Sequence, residues 1–146
     1  MVGADNKGAA RRVCQEVWSE GRLDAADELL AADCAGHTPE HREFTGPAGL
    51  REAVTELREA FPDLHIEVTI QVAEDDRVVT EFQMKGVHSK KYLGTRPTKK
   101  PIDVASAVMT RHSDGKIVEY WAEWDRRQLL EQVGVVPTLS PQGKPA

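Results

Sequence analysis

The chain has 146 residues, 40% hydrophobic and 29% charged, with a formal net charge of -5, which suits one sizeable core and is too short for two ordinary domains. That acidic balance argues against nucleic acid as a partner, because phosphate contacts need clustered positive charge; Lys90, Lys91, Lys99 and Lys100 interrupt it within one loop. No apolar run approaches the roughly 18 residues of a membrane span, and the opening MVGADNKGAARR has no apolar centre of a signal peptide, so no membrane partner and a cytoplasmic location are expected.

Between residues 8 and 20, Ala10, Val13, Cys14, Val17 and Trp18 recur at the spacing of one helical face, and Gly21 closes the helix. A second short helix is read over LDAADELLAA, with Leu23, Ala26, Leu29 and Leu30 on one side, giving way to a strand-like DCAGH. Cys14 and Cys34 have neither CxxC spacing nor a His-rich partner motif, and are read as buried free thiols. Gly46 and Pro47 start a third helix with the apolar face Leu50, Val54, Leu57 and Phe61, and Pro62 stops it.

From there the period changes from 3.6 to 2. Leu64, Ile66, Val68, Ile70 and Val72 alternate with polar residues, the pattern of a strand with one dry and one wet face. RVVTEFQMKGVH follows as a second strand, with Phe82, Met84 and His88 in one phase. SKKYLGTRPTKKP, residues 89–101, reads as a loop long enough to cover something. IDVASAVMTRH and KIVEYWAEW form a hairpin around an Asp-Gly turn, and Asp125 caps a last helix that Gly134 ends.

These elements predict an α+β fold: helices packed on one face of a curved antiparallel sheet, a cone that leaves a cavity. Residues 1–135 are read as one domain and 136–146, rich in Pro, Gly and Ser, as a mobile tail.

Four segments together resemble the SnoaL-like polyketide cyclase family of the nuclear transport factor two superfold: VWSEGRLDAADELLAADCAGHTP, GPAGLREAVTELREAFPDLHIEV, GVHSKKYLGTRPTKKPI and RHSDGKIVEYWAEWDRRQLLEQVG. The resemblance implies an α+β barrel whose helices and inner sheet face enclose a pocket for a polyketide-like small molecule, worked without metal or organic cofactor. In the best-understood members a His and an Asp on the last two strands form an acid/base pair. Anchored on the shared DGKI turn, those positions fall on Val108 and Ala122, and neither side chain moves a proton. A one-residue slip would bring in Glu123, which alternation turns away from the cavity. The implied activity is a cofactor-free cyclase or isomerase; a non-catalytic small-molecule-binding protein and a cofactorless oxygenase of an aromatic polyketide stand beside it.

Three residues are then candidates for chemistry. Tyr120, in phase with Val118, Ala122 and Trp124, is either a donor to a substrate carbonyl or a core tyrosine. His88 at the mouth of the cone is an acid/base group or a structural one, and His37 matches a pocket-lining polar position of the family. Trp18, Phe82, Met84, Val108, Ala122 and Trp124 supply apolar walls, with Ser106 and Thr110 as polar points among them; each reads equally as ordinary core. HTPEH lacks the helical spacing of a zinc motif, so no metal is expected, and His41, His65 and His112 are read as facing solvent. Ala105, Ala107, Met109 and Trp121 make the outer sheet face apolar, which points to a homodimer through that face, as the resemblance also implies.

Overall fold

The computed structural model describes residues 2–39, 42–92 and 94–135; the tail read over 136–146, with Glu40 and His41, lies outside the described residues. In chain order the elements are α1 (Val2–Arg12), a π-helix (Val13–Ser19), α2 (Ala25–Leu29), β1 (Leu30–Thr38), β2 (Arg42–Thr45), α3 (Gly46–Ala60), β3 (His65–Glu74), β4 (Arg77–Val87), β5 (Pro101–Ser113), β6 (Lys116–Trp124) and α4 (Arg126–Gln132). The strands form one sheet in the order β2-β1-β6-β5-β4-β3. Every neighbouring pair is antiparallel except β1 and β6, which run parallel.

The turn chemistry follows the sequence. Asp114 and Gly115 both take positive φ, 50° and 77°, the conformation that a two-residue hairpin turn with matching twist requires. Gly46 opens α3 at φ +66° with the carbonyl oxygen of Ala32 only 2.3 Å from where a β-carbon would stand, so no larger residue fits there. Asp125 Oδ1 accepts from the Gln128 N–H at 2.9 Å and caps α4.

A single cluster of buried residues runs from Val13 to Val133, lying between the helices and the concave sheet face. The third-helix face is buried as its spacing predicts, at Leu50, Val54, Leu57 and Phe61. Three local departures matter. The first helix begins well before residue 8 and widens into the π-helix, and α2 ends at Leu29, where β1 takes over. In β3 the register shifts between Val68 and Ile70. Leu64 and Ile66 are buried, but Ile70 and Val72 come out 53% and 58% exposed, because the extra residue reverses which side chains face inward. A second shift between Arg111 and His112 comes from an extra residue in β6 and puts Ile117 instead of Val118 in the core, while His112, in unbroken alternation with Val108 and Thr110 on β5, is buried rather than solvent-facing.

Candidate functional site

The concave face is lined in cross-strand rows. Val78, Thr110 and Tyr120 stand side by side, then Thr80, Val108 and Ala122, then Phe82, Ser106 and Trp124, and all nine are buried. Val108 and Ala122 are direct cross-strand partners, which places their β-carbons about 5 Å apart. Glu123 is exposed on the convex face, as alternation requires.

Over this wall lies the π-helix. Its i→i+5 bonding, seen where Glu20 N–H reaches the Gln15 carbonyl at 3.0 Å, turns Val13, Cys14, Val17 and Trp18 all inward. Arg58 of α3 fixes its end by donating to the carbonyls of Trp18 and Ser19 at 3.0 and 2.7 Å. Ser19 Oγ in turn accepts from the Ile66 N–H of β3. So held, Trp18 Nε1 donates to the Tyr120 hydroxyl at 2.7 Å, and its ring meets Trp124 edge-on at 6.1 Å. Phe44 completes the enclosure with its ring 5.7 Å from that of Tyr120. It fits because Gly36 has no β-carbon: one would stand 2.1 Å from the Phe44 ring.

The chemistry of this interior is neutral. Among the described residues the buried polar side chains are Asn6, Thr38, Thr80, His88, Ser106, Thr110 and His112, beside the aromatic Tyr120 and the two tryptophans, with no carboxylate, lysine or arginine. Burial pushes the Tyr120 phenol well above its ordinary range, the nearby Cys14 adds to this, and the Trp18 hydrogen bond opposes it. Tyr120 therefore keeps its proton. With one lone pair taken by Trp18, its O–H is left to donate. Cys14 and Cys34 are free and buried, and burial pushes each thiol up to about 12, so neither is a nucleophile near neutral pH.

The three candidates for chemistry are not brought together. Tyr120 pairs with Thr110 near one end of β5, whereas His88 bonds Lys100 beyond the other end. His88 is fully buried, its ring against Phe61 at 5.6 Å, and Nδ1 accepts from the Thr98 N–H at 3.3 Å and lies 3.1 Å from Thr98 Oγ1. Those contacts make it the pin of the 89–101 loop. His37 is a correction: Cys34, Gly36 and Thr38 point inward on β1, so His37 points out and stacks on Trp121 at 5.9 Å and 13°. Thr38, Phe44 and His112 are the inward residues that the sequence did not single out. Phe82, Met84, Ser106, Val108, Ala122, Trp18 and Trp124 all reach the buried concave side. Surface grooves of about 290 and 440 Å³ flank α3.

The model of the SnoaL-like polyketide cyclase family matches residues 8–133. Among solved structures, the fold is shared with a protein assigned as a SnoaL-like polyketide cyclase from Jannaschia sp. CCS1, with a TM-score of 0.85 at 21% identity over 93% of this chain and 96% of that one. IdmH from Streptomyces antibioticus, assigned as a polyketide cyclase, is 30% identical over 89% of this chain and 99% of its own, with a TM-score of 0.77. AclR from Streptomyces galilaeus, assigned as a hydroxylase, is 26% identical over 96% and 91%, with a TM-score of 0.83. No curated protein matches the chain.

Proposed function

Because the chain belongs to the SnoaL-like polyketide cyclase family, we propose that it is a cofactor-free cyclase or isomerase of a polyketide-like natural-product intermediate. The observation that carries this is the Trp18–Tyr120 pair inside a neutral, aromatic interior. Val108 and Ala122, cross-strand neighbours on the concave face, stand where the resembled members keep their acid/base pair. The reading therefore assigns ring closure through an epoxide or a conjugate addition rather than proton abstraction at carbon. Tyr120 donates a hydrogen bond to the oxygen on which charge develops, while Trp18, Phe82, Met84, Ser106, Val108, Ala122 and Trp124 fold the chain into a reactive conformer. Trp124 is a further contact for the substrate: it sits at a strand end and its buried indole N–H has no partner among the described residues.

Tyr120→Phe should lower turnover of a polyketide-like substrate by about 10²-fold with ligand binding retained, as read by single-turnover kinetics beside a binding titration. Unchanged turnover would remove Tyr120 from the mechanism. Binding without turnover in the unaltered protein would favour a non-catalytic binding role. A second reading, cofactorless oxygenation, draws support from the AclR likeness, and a rate that falls to zero without oxygen would establish it.

No helix of the described residues is long and apolar enough to cross a membrane; a cytoplasmic location and residues 1–135 as one domain complete the proposal. We further propose a homodimer through the convex sheet face. Val72, Val79, Met109, Trp121 and His37 form one continuous outward row across five strands. Arg111, beside the row, is already paired with Glu119, so the contact rests on the apolar side chains, which a two-fold axis along the row lays against their own copies. Trp121→Glu should yield a monomer by sedimentation equilibrium, and a variant that still dimerised would exclude this face.

A further inference from the structure

Residues 89–101 carry five cationic side chains, Lys90, Lys91, Arg96, Lys99 and Lys100, and none of the chain's 24 Asp and Glu. All five are exposed, and none is ion-paired with a described residue. Elsewhere on the surface, several cationic side chains have a carboxylate partner. Arg12 pairs with Glu16 and Glu28, Arg51 with Asp27, Lys85 with Glu67, Arg111 with Glu119 and Arg127 with Glu131.

A charged run of this kind is ordinarily a solvated, mobile loop, but this one is held. The N–H groups of Ser89 and Lys90 both donate to the Ala60 carbonyl, at 2.9 and 3.3 Å. Tyr92 is buried with its ring edge-on to Phe61 at 5.6 Å. His88 takes the Thr98 N–H, and its own backbone exchanges hydrogen bonds with Lys99 and Lys100. Lys99 is kept at φ +59°, a conformation that disfavours any residue with a β-carbon and would suit Gly or Asn better. Five unpaired charges are thus displayed on a fixed backbone, one of them against its own conformational preference.

We propose that the 89–101 loop is a docking surface for an acidic protein partner, which lays a carboxylate-rich segment across Lys90, Lys91, Arg96, Lys99 and Lys100. The overall charge of -5 selects such a partner over nucleic acid. A polyanion with one charge per about 1.7 Å of duplex would run off the loop onto an acidic surface, whereas a short acidic patch ends where the loop does. The loop displays no exposed large apolar side chain among its described residues, as membrane insertion would require.

The test uses the full chain and a labelled poly-L-glutamate of about 20 residues, read by fluorescence anisotropy at low and physiological salt. Binding is expected at low salt and should weaken as salt rises. The triple change Lys90→Gln, Lys91→Gln, Lys100→Gln should weaken it by about tenfold; Lys7→Gln, Arg11→Gln, Arg22→Gln should leave it within about twofold. No binding at low salt, or equal weakening in both triples, would overturn the proposal. So would tighter, loop-dependent binding of a 20-nucleotide DNA strand or of phosphatidylserine vesicles. Each triple alters exposed or half-buried side chains, and matching thermal unfolding curves verify that both variants fold.

Discussion

Trp18→Ala should lower the unfolding free energy by about 3–5 kcal/mol, the largest loss expected from a single substitution near the candidate site. The indole is 4% exposed and packs on Trp124, so truncation empties a volume that β6 and the π-helix cannot close together. It also strips the Tyr120 hydroxyl of its donor. Trp18→Phe separates the two effects: it keeps most of the apolar volume, and should cost about 1–3 kcal/mol for the buried phenol left unpaired and the smaller ring. Urea unfolding followed by far-UV circular dichroism measures both without relying on tryptophan fluorescence. A loss below about 1.5 kcal/mol for Trp18→Ala would mean that the cone is open around Trp18.

Acid should destabilise the fold in a pH window set by two buried histidines. Burial lowers His88 below its ordinary 6.5, and the charge of Lys99 adds to this while the Lys90 carbonyl opposes it. Burial likewise lowers His112, opposed by Asp76. The folded chain thus holds both rings neutral at pH values where the unfolded chain protonates them. Their contribution is fully present above pH 6.5 and shrinks as pH falls from 6.5 towards the lowered folded values, at up to about 1.4 kcal/mol per pH unit for each ring. Carboxylates with lowered values, such as Glu16 beside Arg12, act only below their ordinary 4.5, so the window between pH 6.5 and 5 belongs to the histidines. Urea midpoints should therefore drop across that window in the unaltered protein. The His88→Gln, His112→Gln double variant should be flat there, and a parallel drop in it would exclude these two residues.

Protonation of His88 also has a local consequence. Nδ1 would change from acceptor to donor against the Thr98 N–H, so the 89–101 loop is expected to loosen before the sheet does.

The sequence made the helix faces and the β5–β6 hairpin legible because each rests on local chemistry. Asp114-Gly115 fixes the turn, but counting back from it sets Val108 opposite Trp121; the extra residue in β6 brings Val108 and Ala122 opposite each other. The inward set Trp18, Phe82, Met84, Ser106, Val108, Ala122 and Trp124 followed from period together with the family resemblance, which set the inward face of the last two strands. What failed has a common cause in β-bulges and strand phase, which single-residue patterns do not encode. Alternation in β3 reads correctly to Val68, then inverts at a residue, Thr69, with nothing in its type to announce a bulge. Val118 is misread for the same reason, because the extra residue in β6 inverts the phase there, whereas His112 keeps the phase of Val108 and Thr110 and is buried with them. His37 sits in a short strand whose inward parity depends on its parallel pairing with β6, a tertiary fact. The first turns of α1, with Gly3 and Gly8, have poor intrinsic propensity; their packing on β3 and β4, where Gln71 donates to the Lys7 carbonyl, holds them helical.

The shift in β3 bears on solubility as well as on packing. Strand β3 is a free border of the sheet, where a regular, apolar ribbon invites another chain to add itself as the next strand. Its first half is occupied by the Ser19 side chain at the Ile66 N–H, and its second half, apolar at Ile70 and Val72, follows the break in register. Removing the extra residue would straighten this border and restore an uninterrupted template. A deletion at Thr69 is thus expected to let copies of the chain add edge to edge without limit.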